Sequence, residues 1–442
     1  MKRFKRAAVV ATVVGLALTA CSANNDAGGT GDGGVKADGT ATVKAKELTV
    51  WTSSADQAYV RDAYKHFGEK FGVKINVVEI AADGLENQVQ TKWASGDRPD
   101  LLEYHATALF WALNPAKNMI EMSDMPYVKR SGEMYKTAGS LDGKIYAAIT
   151  VGPGLFGMYY NKKVLADAGL GVPETYADLE NVCTTLKQKK PGVATIYEAG
   201  GSQWPTQIQI LIALASVEKD QGYSQEVLIK KATLDDPGGP FVTALTEYKK
   251  LQTMGCFNKD ATTAKFEPSF KALADGSVAF LPQSTSSLPQ LTAVYGDDLA
   301  KASAAIGWVS PSTGGTTSAW SPSFNGTWYV PKTGNSDRES TALAFLQWVT
   351  TDGYQDYLTQ TKRFAVLSGG QAATPTGIQQ EFTDAYGSSK ALAVNANLVG
   401  FSAQFPTLMT GLLSGQYTPA QVGELAQKAL AQGAKSAHLA GW

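Results

Sequence analysis

Four short stretches combine a flat aromatic ring with neutral polar side chains. They are Trp51 with Ser53 and Ser54 in "TVWTSS", Tyr104 and His105 in "LLEYHAT", Trp204 in "GGSQWP", and Trp320 with Asn325 in "TSAWSPSFNG". Gln283 and Ser286 in "LPQSTSS" add an amide and a hydroxyl, and Phe405 in "SAQFPTL" adds a ring. Rings offer an apolar face, while hydroxyls and amides donate and accept in fixed directions. Such a set suits a small, neutral, hydroxylated molecule. Each ring also has a plainer reading, as a half-buried packing residue.

Covalent chemistry would ask for other residues. Glycoside hydrolysis needs two carboxylates facing each other across a sugar. Asp100 and Glu103 are neighbours, but Asp100 reads as a cap or ion-pair partner, and no acidic residue is evident across from them. The chain has three histidines and neither an H-E-x-x-H pair, a G-x-S-x-G elbow nor a phosphate-binding loop. No metal-ligand spacing surrounds the cysteines, and no cofactor is expected. A polyamine would call for several acids among the aromatics, and ferric ion for clustered tyrosines. The loops hold Ser, Thr, Asn and Gln instead. A peptide stays open as a further alternative.

The three cysteines divide by position. MKRFKR carries four positive charges, and an apolar run follows from Ala7 to Ala20. It is shorter than the roughly 20 apolar residues of a membrane span, so the pattern is that of a secretory signal. Leu18-Thr19-Ala20-Cys21 resembles the bacterial lipobox, which implies cleavage before Cys21 and a diacylglycerol on its thiol. An ordinary signal peptide with an incidental cysteine is the plainer reading. The lipobox reading puts the chain on the outer face of the bacterial cytoplasmic membrane, held stably once two acyl chains are present. Residues 21–46 read as a flexible tether of Gly, Ala, Asp, Asn and Thr. Its Gly29-x-Gly31-x-x-Gly34 has no strand before it and no helix after it, so it is no dinucleotide fingerprint. Export would leave Cys183 and Cys256 as an even pair in an oxidising compartment. A disulfide is the first reading and a buried free thiol on a helix face the second.

Of 442 residues, about 400 follow the tether, too many for one core, so two lobes are expected. The net charge is −1 with no basic stripe, which argues against nucleic acid as a partner. The elements follow from periodicity. Leu48 to Trp51 is a strand, Ser53-x-x-Asp56 a capping box, and Val60, Ala63, Tyr64, Phe67 and Phe71 one helix face. Val73 to Ile80 is a second strand and Asp100 to Tyr104 a third. Strand, helix, strand implies a parallel βαβ unit, whose ligands bind beyond the carboxyl ends of the strands. Thr175 and Asp178 form a possible capping box for a helix with Leu179, Val182, Cys183 and Leu186 on one stripe. Residues 418–432 form a last helix.

The run "GKIYAAITVGPGLFGMYYNKKVLADAGLGVPETYADL" resembles the extracellular solute-binding proteins that feed sugars to ABC importers. "ASGDRPDLLEY", "GSVAFLPQSTSSL" and "VPKTGNSDRESTALAFLQWVTTDGYQDYL" resemble other segments of the same family, so the likeness spans nearly the whole chain after the tether. It implies an α/β, two-lobe periplasmic-binding-protein-like fold (type II). Lobe 1 would comprise 47–150 and 310–360, and lobe 2 158–305 and 364–442. Three crossings are expected, near Thr150–Gly157, Ala305–Pro311 and Thr361–Phe364, with the ligand in the cleft and no reaction done on it. The implied partners are a mono- or oligosaccharide and the membrane subunits of an importer, and the chain is expected to be a monomer. Departures bear on specificity. Thr107 and Ala108 stand where the maltose-binding relative has an acidic and a basic residue, and Ser286 stands where it has a tryptophan.

Overall fold

The computed structural model describes residues 35–442, apart from 55, 83, 133, 323, 362–364, 372–373, 438 and 440. Within it, β1 (Glu47–Ser53) runs parallel to β2 (Lys74–Ile80), joined by α1 (Ala58–Phe71), which buries Val60, Tyr64 and Phe67. Gly72 stops α1 with a φ of 67°, a left-handed conformation that glycine adopts without strain. The Ser53/Asp56 box does not start α1. Its N-cap is Gln57, with no side-chain cap, because Asp56 is bonded to Thr52 instead. α2 (Leu85–Ala94) leads into β3 (Leu101–Glu103), which is parallel to β1 on its other edge. Asp100 accepts from the Thr49 amide and pairs with Arg338, as its position before β3 suggests.

The later strands are divided between two sheets. In chain order they are β4 (Ala148–Ile149), β5 (Gly154–Asn161), β6 (Ala194–Ile196), β7 (Val278–Ser284), β8 (Ile306–Val309), β9 (Ser318–Ser321), β10 (Thr327–Tyr329) and β11 (Lys390–Leu392). Lobe 1 has the order β2-β1-β3-β10-β4, and lobe 2 the order β11-β9-β5-β7-β6. β8 and β9 take successive halves of one edge of β5: Val309 pairs with Met158 and Ala319 with Phe156. Each sheet has its own buried apolar core. No helix among the described residues is long and apolar enough to cross a membrane.

The chain passes between the sheets at 150–153, inside the expected first crossing. The second passage is at 322–326, not at 305–311. Residues 306–309 stay paired with β5, and 311–316 fold back as a two-stranded hairpin, so the switch comes only after β9. Of the expected third crossing, Lys362 to Phe364 lie outside the described residues. Beyond them Leu367 is in the lobe 1 core, and the Ser368 amide donates to Arg130 O at 2.8 Å. Ile378 and Phe382 of the helix Ile378–Ser388 belong to lobe 2. Lobe 1 therefore ends near 371 and not at 360.

Cys21, the signal segment and the first part of the tether lie outside the described residues. The rest of the expected tether, 35–46, is laid along lobe 1. Val35, Ala37, Ala41 and Val43 pack on its core. On the helix Ser336–Val349, Thr341 Oγ1 accepts from the amides of Lys44 and Ala45 at 2.9 and 2.8 Å, and Ser340 Oγ donates to Thr42 O at 2.8 Å. Small apolar residues at every second position allow this extended docking.

In lobe 2 the helix Asp178–Lys189 buries the expected stripe of Leu179, Val182, Cys183 and Leu186. Thr175 and Asp178 exchange hydrogen bonds at 2.8 and 3.3 Å across its start. Cys183 and Cys256 are disulfide-bonded, with S–S 2.09 Å, and both are fully buried.

Candidate functional site

The lobes meet over the carboxyl ends of their strands. Ala108 N donates to Ala396 O at 2.6 Å, and Ala108 is buried with Val399 and Ala434. Next to this contact, Asn395 Nδ2 donates to Gln207 Oε1 at 3.1 Å. That brings the turn carrying Trp204 and Gln207 opposite the segment after β3.

On the lobe 1 side, His105 Nε2 lies 2.8 Å from Glu86 Oε1 of α2, and the His105 ring is 5.0 Å from Phe324. Tyr329 OH donates to His105 O at 2.7 Å and holds the backbone there. Burial pushes the Glu86 carboxyl up, but the hydrogen bond and charge of His105 outweigh it and hold it below its ordinary value. Under this surface sits a pair of acids. Thr52 Oγ1 is 2.7 Å from Asp56 Oδ2 and is also in hydrogen-bond contact with Glu103 Oε2. Tyr64 OH donates to Glu103 Oε2 at 3.3 Å, and Gly326 N to Glu103 Oε1 at 2.8 Å. Trp328 Nε1 donates to Tyr64 OH at 2.8 Å. Burial raises both carboxyls, and the charge of Asp56 raises Glu103 further.

Several expected site residues are core residues. Trp51 is 3 % exposed with the Lys92 ammonium 5.0 Å from its ring, and Tyr104 and Phe405 are fully buried. Phe405 packs between Phe401 and Phe241. Trp51 lies in β1 and Tyr104 just after β3, in a sheet covered on both faces, and Phe405 lies in the helix Phe401–Ser414 against its own lobe's core, so none presents an open face. Gln283 is also fully buried; its Oε1 accepts from Ser287 Oγ at 3.1 Å, while its Nε2 has no partner. Ser53 is buried. Ser54 Oγ accepts from the Ala82 amide at 3.1 Å, tying the end of β1 to the segment after β2.

The remaining expected residues have accessible surface. His105 is part-exposed. Trp204 is half-buried, its ring 4.9 Å from Phe266. Trp320 is half-buried on β9, in register with Leu155 and Leu392. Ser286 is half-buried beside Ser284, and Asn325 lies in the second crossing. Sequence reasoning placed neither Glu86 nor the Asn395–Gln207 pair in the site. Glu86 and His105 are 19 residues apart and Gln207 and Asn395 are 188 apart, with no local pattern to join them. A separate cavity of about 340 Å³ opens at the hinge, lined by Pro153, Leu155, Leu288, Pro375 and Phe382 with Thr285. No cluster of three or more metal-ligating side chains is present among the described residues. The arrangement offers part-exposed rings and neutral polar groups on two facing surfaces, a combination that suits a small polar molecule.

Two lobes with a chain that switches sheet at 150–153 and 322–326 define a two-lobe binding-protein architecture. The family model for bacterial extracellular solute-binding proteins matches residues 62–379, and the chain belongs to that family. Among curated proteins it is similar to the melibiose/raffinose/stachyose-binding protein MelE of Bacillus subtilis. The two are 21% identical over 252 residues, 55% of this chain and 57% of the relative, so the chain covers less than two thirds of that relative's length. Among solved structures it is similar to a chitin oligosaccharide binding protein, with a TM-score of 0.72 and 20% identity, covering 88% of this chain and 98% of the other. It is also similar to RafE in complex with raffinose, with a TM-score of 0.66 and 18% identity, covering 86% and 97%. At these identities the structural likeness is one of fold.

Proposed function

We propose that the chain is the substrate-binding component of a carbohydrate importer. It captures a neutral mono- or oligosaccharide between its lobes, closes on it, and delivers it to the membrane subunits of the transporter. It does no chemistry on the ligand, and a lipid on Cys21 holds it at the outer face of the membrane. The observation that carries this reading is the pairing of part-exposed rings with neutral polar groups across the lobe contact. His105 and Phe324 stand on one side, and Trp204, Gln207 and Asn395 on the other. The saccharides named for MelE and RafE, and the chitin oligosaccharides of the other relative, make these classes the first to test.

Calorimetry against melibiose, raffinose, stachyose and chitin oligosaccharides tests it. We expect one-to-one binding with a dissociation constant on the order of micromolar, about −8 kcal/mol. Release of reducing ends would mean a hydrolase. Heat only with peptides or polyamines would mean a two-lobe binder of another cargo. Anchoring is tested separately: Cys21→Ser should shed the protein into the medium, and retention of that variant at the membrane would end the lipoprotein reading.

A further inference from the structure

The buried acids of lobe 1 do more than fill space. Thr52 has one hydroxyl proton, yet its Oγ1 is in hydrogen-bond contact with carboxyl oxygens of both Asp56 and Glu103. A hydroxyl can donate to one of them only, and Asp56 and Glu103 are also hydrogen-bonded to each other, so one of the two carboxyls must carry a proton. Two ionised acids cannot share this site, because like charges in a buried pair push one proton back on. The titratable and charged groups around the pair are few. On α1 they are Tyr64, which donates to Glu103, and Arg61, which faces Asp56 and is itself paired with Glu79 of β2. β10 contributes only the Trp328 indole, bonded to Tyr64.

The pair also ties together three chain segments on the lobe 1 face of the cleft: the ends of β1 and β3 and the second crossing. Thr52 is next to Ser53 and Ser54 at the end of β1. Glu103 precedes Tyr104 and His105 at the end of β3. Gly326, whose amide donates to Glu103, follows Phe324 and Asn325 in the second crossing. Gly326 O in turn accepts from Thr150 N and Oγ1 at 3.0 and 3.1 Å, joining the second crossing to the first. Gly326 has a φ of 74°, and a Cβ there would come within 2.4 Å of Val151, so the junction admits no side chain.

We propose that Glu103, with Thr52 and Asp56, is the positioning group of the ligand cleft, and that ligand affinity falls when the proton it shares with Asp56 is lost. None of the three needs to touch the ligand. Loss of the proton leaves two carboxylates around one hydroxyl. Asp56, the less buried of the two, turns toward Arg61, and the ends of β1 and β3 and the second crossing lose their common tie. The cleft in question is the one assigned under the proposed function, so the test has one arm that needs no ligand.

In that arm, amide NMR of the unliganded full chain follows Gly326, Asn325 and Ser53 with pH. We expect the three to titrate together, with a midpoint well above the ordinary carboxyl range, and to stay flat in Glu103→Gln and Asp56→Asn. A response confined to Gly326, or one that survives in Glu103→Gln, overturns the proposal. In the second arm, binding of raffinose or another active panel member is measured across the pH range over which the amides of the first arm titrate. The dissociation constant should rise about tenfold in wild type and less than about twofold in Glu103→Gln. Glu103→Ala should bind more weakly at every pH, with Glu103→Gln recovering part of the loss. A slope that Glu103→Gln leaves unchanged overturns the proposal. If no panel saccharide binds, the proposed function fails and the amide titration alone decides this inference.

Discussion

Each lobe buries one glutamate at the end of a strand that points toward the cleft. Glu103 follows β3 in lobe 1, and Glu198 lies two residues beyond β6 in lobe 2. Their surroundings differ. Glu103 has a second acid beside it and bonds outward to the crossing between lobes. Glu198 stands alone. Its oxygen accepts from the side-chain amide of Gln209, and its own backbone is bonded by Asn258 on both sides. Burial raises its pKa to about 8, so it is mostly neutral at pH 7. Lobe 2 adds the disulfide, also internal. Lobe 2 is therefore braced within itself, while lobe 1 spends its buried polar groups on the hinge. A buried acid that bonds only inward is replaceable by an amide, whereas one that bonds across a junction is coupled to motion.

The largest expected effects break the comparison at its cores. Trp51→Ala and Phe405→Ala remove fully packed rings, one from each lobe, and each should destabilise by roughly 3–5 kcal/mol. Denaturant unfolding measures this. A loss of ligand affinity with unchanged stability would instead make these rings platforms.

The disulfide comes next. It closes a loop of 73 residues within lobe 2, and the chain-entropy account gives roughly 4 kcal/mol for such a loop, with 2–4 kcal/mol the usual range. Cys183→Ser with Cys256→Ser should lower the unfolding midpoint of lobe 2 and leave that of lobe 1 in place. A uniform shift of both lobes would show that they unfold as one unit.

What was legible in the sequence follows the same division. Strand and helix periods are local, so β1, α1, β2, the Cys183 stripe and the last helix could be read directly. The crossings were harder. Residues 306–309 are apolar and extended, as a crossing would be, and only pairing with β5 shows that they remain in lobe 2. The strap at 35–46 was readable in principle, since Val35, Ala37, Ala41 and Val43 keep a period of two, but residues this small carry little hydrophobic signal. Within the candidate site, burial and exposure change over a few residues along the chain. A ring in or just after a strand, such as Trp51 in β1 or Tyr104 after β3, is buried in a covered sheet, while a ring in a crossing, such as Phe324, keeps accessible surface. The sequence places His105 just after β3, where it keeps open surface; nothing local points to its partner Glu86, which comes from another element.

Glu198→Gln sharpens the contrast between the two acids. An acid with a raised native pKa binds its proton more tightly folded than unfolded. Its contribution is therefore whole below the unfolded value of 4.5 and is lost as pH rises through about 8. The amide keeps the shape and removes the titration. The gap between the variant and wild type should widen from about pH 4 to about pH 9, by up to about 5 kcal/mol for a shift from 4.5 to about 8. Wild-type stability that does not fall across this range would mean that Glu198 is ionised in the native state, contrary to the surroundings described for it. The variant should leave the Gly326 amide titration untouched, since Glu198 has no bond to the crossing.

The smallest effects test whether the two faces of the cleft share the work. Phe324 is half-buried in the second crossing, and Trp204 is half-buried in lobe 2. Because both rings keep an open edge, their truncation leaves little cavity, and stability should change by less than about 1 kcal/mol. If both cover a sugar face, each alanine variant should lose about 1–2 kcal/mol of binding, roughly five- to thirtyfold in affinity. The two losses need not be equal. A ligand taken first by lobe 1 and then covered by closure would show a faster dissociation rate when Trp204 is removed. It would show a slower association rate when Phe324 is removed, since that ring meets the ligand before the lobes close. Stopped-flow tryptophan fluorescence separates the two rates, with Phe324→Ala keeping every native tryptophan as reporter. Loss of affinity in step with a fall in melting temperature would return both rings to the packing reading. A loss confined to one variant would place the sugar against a single lobe.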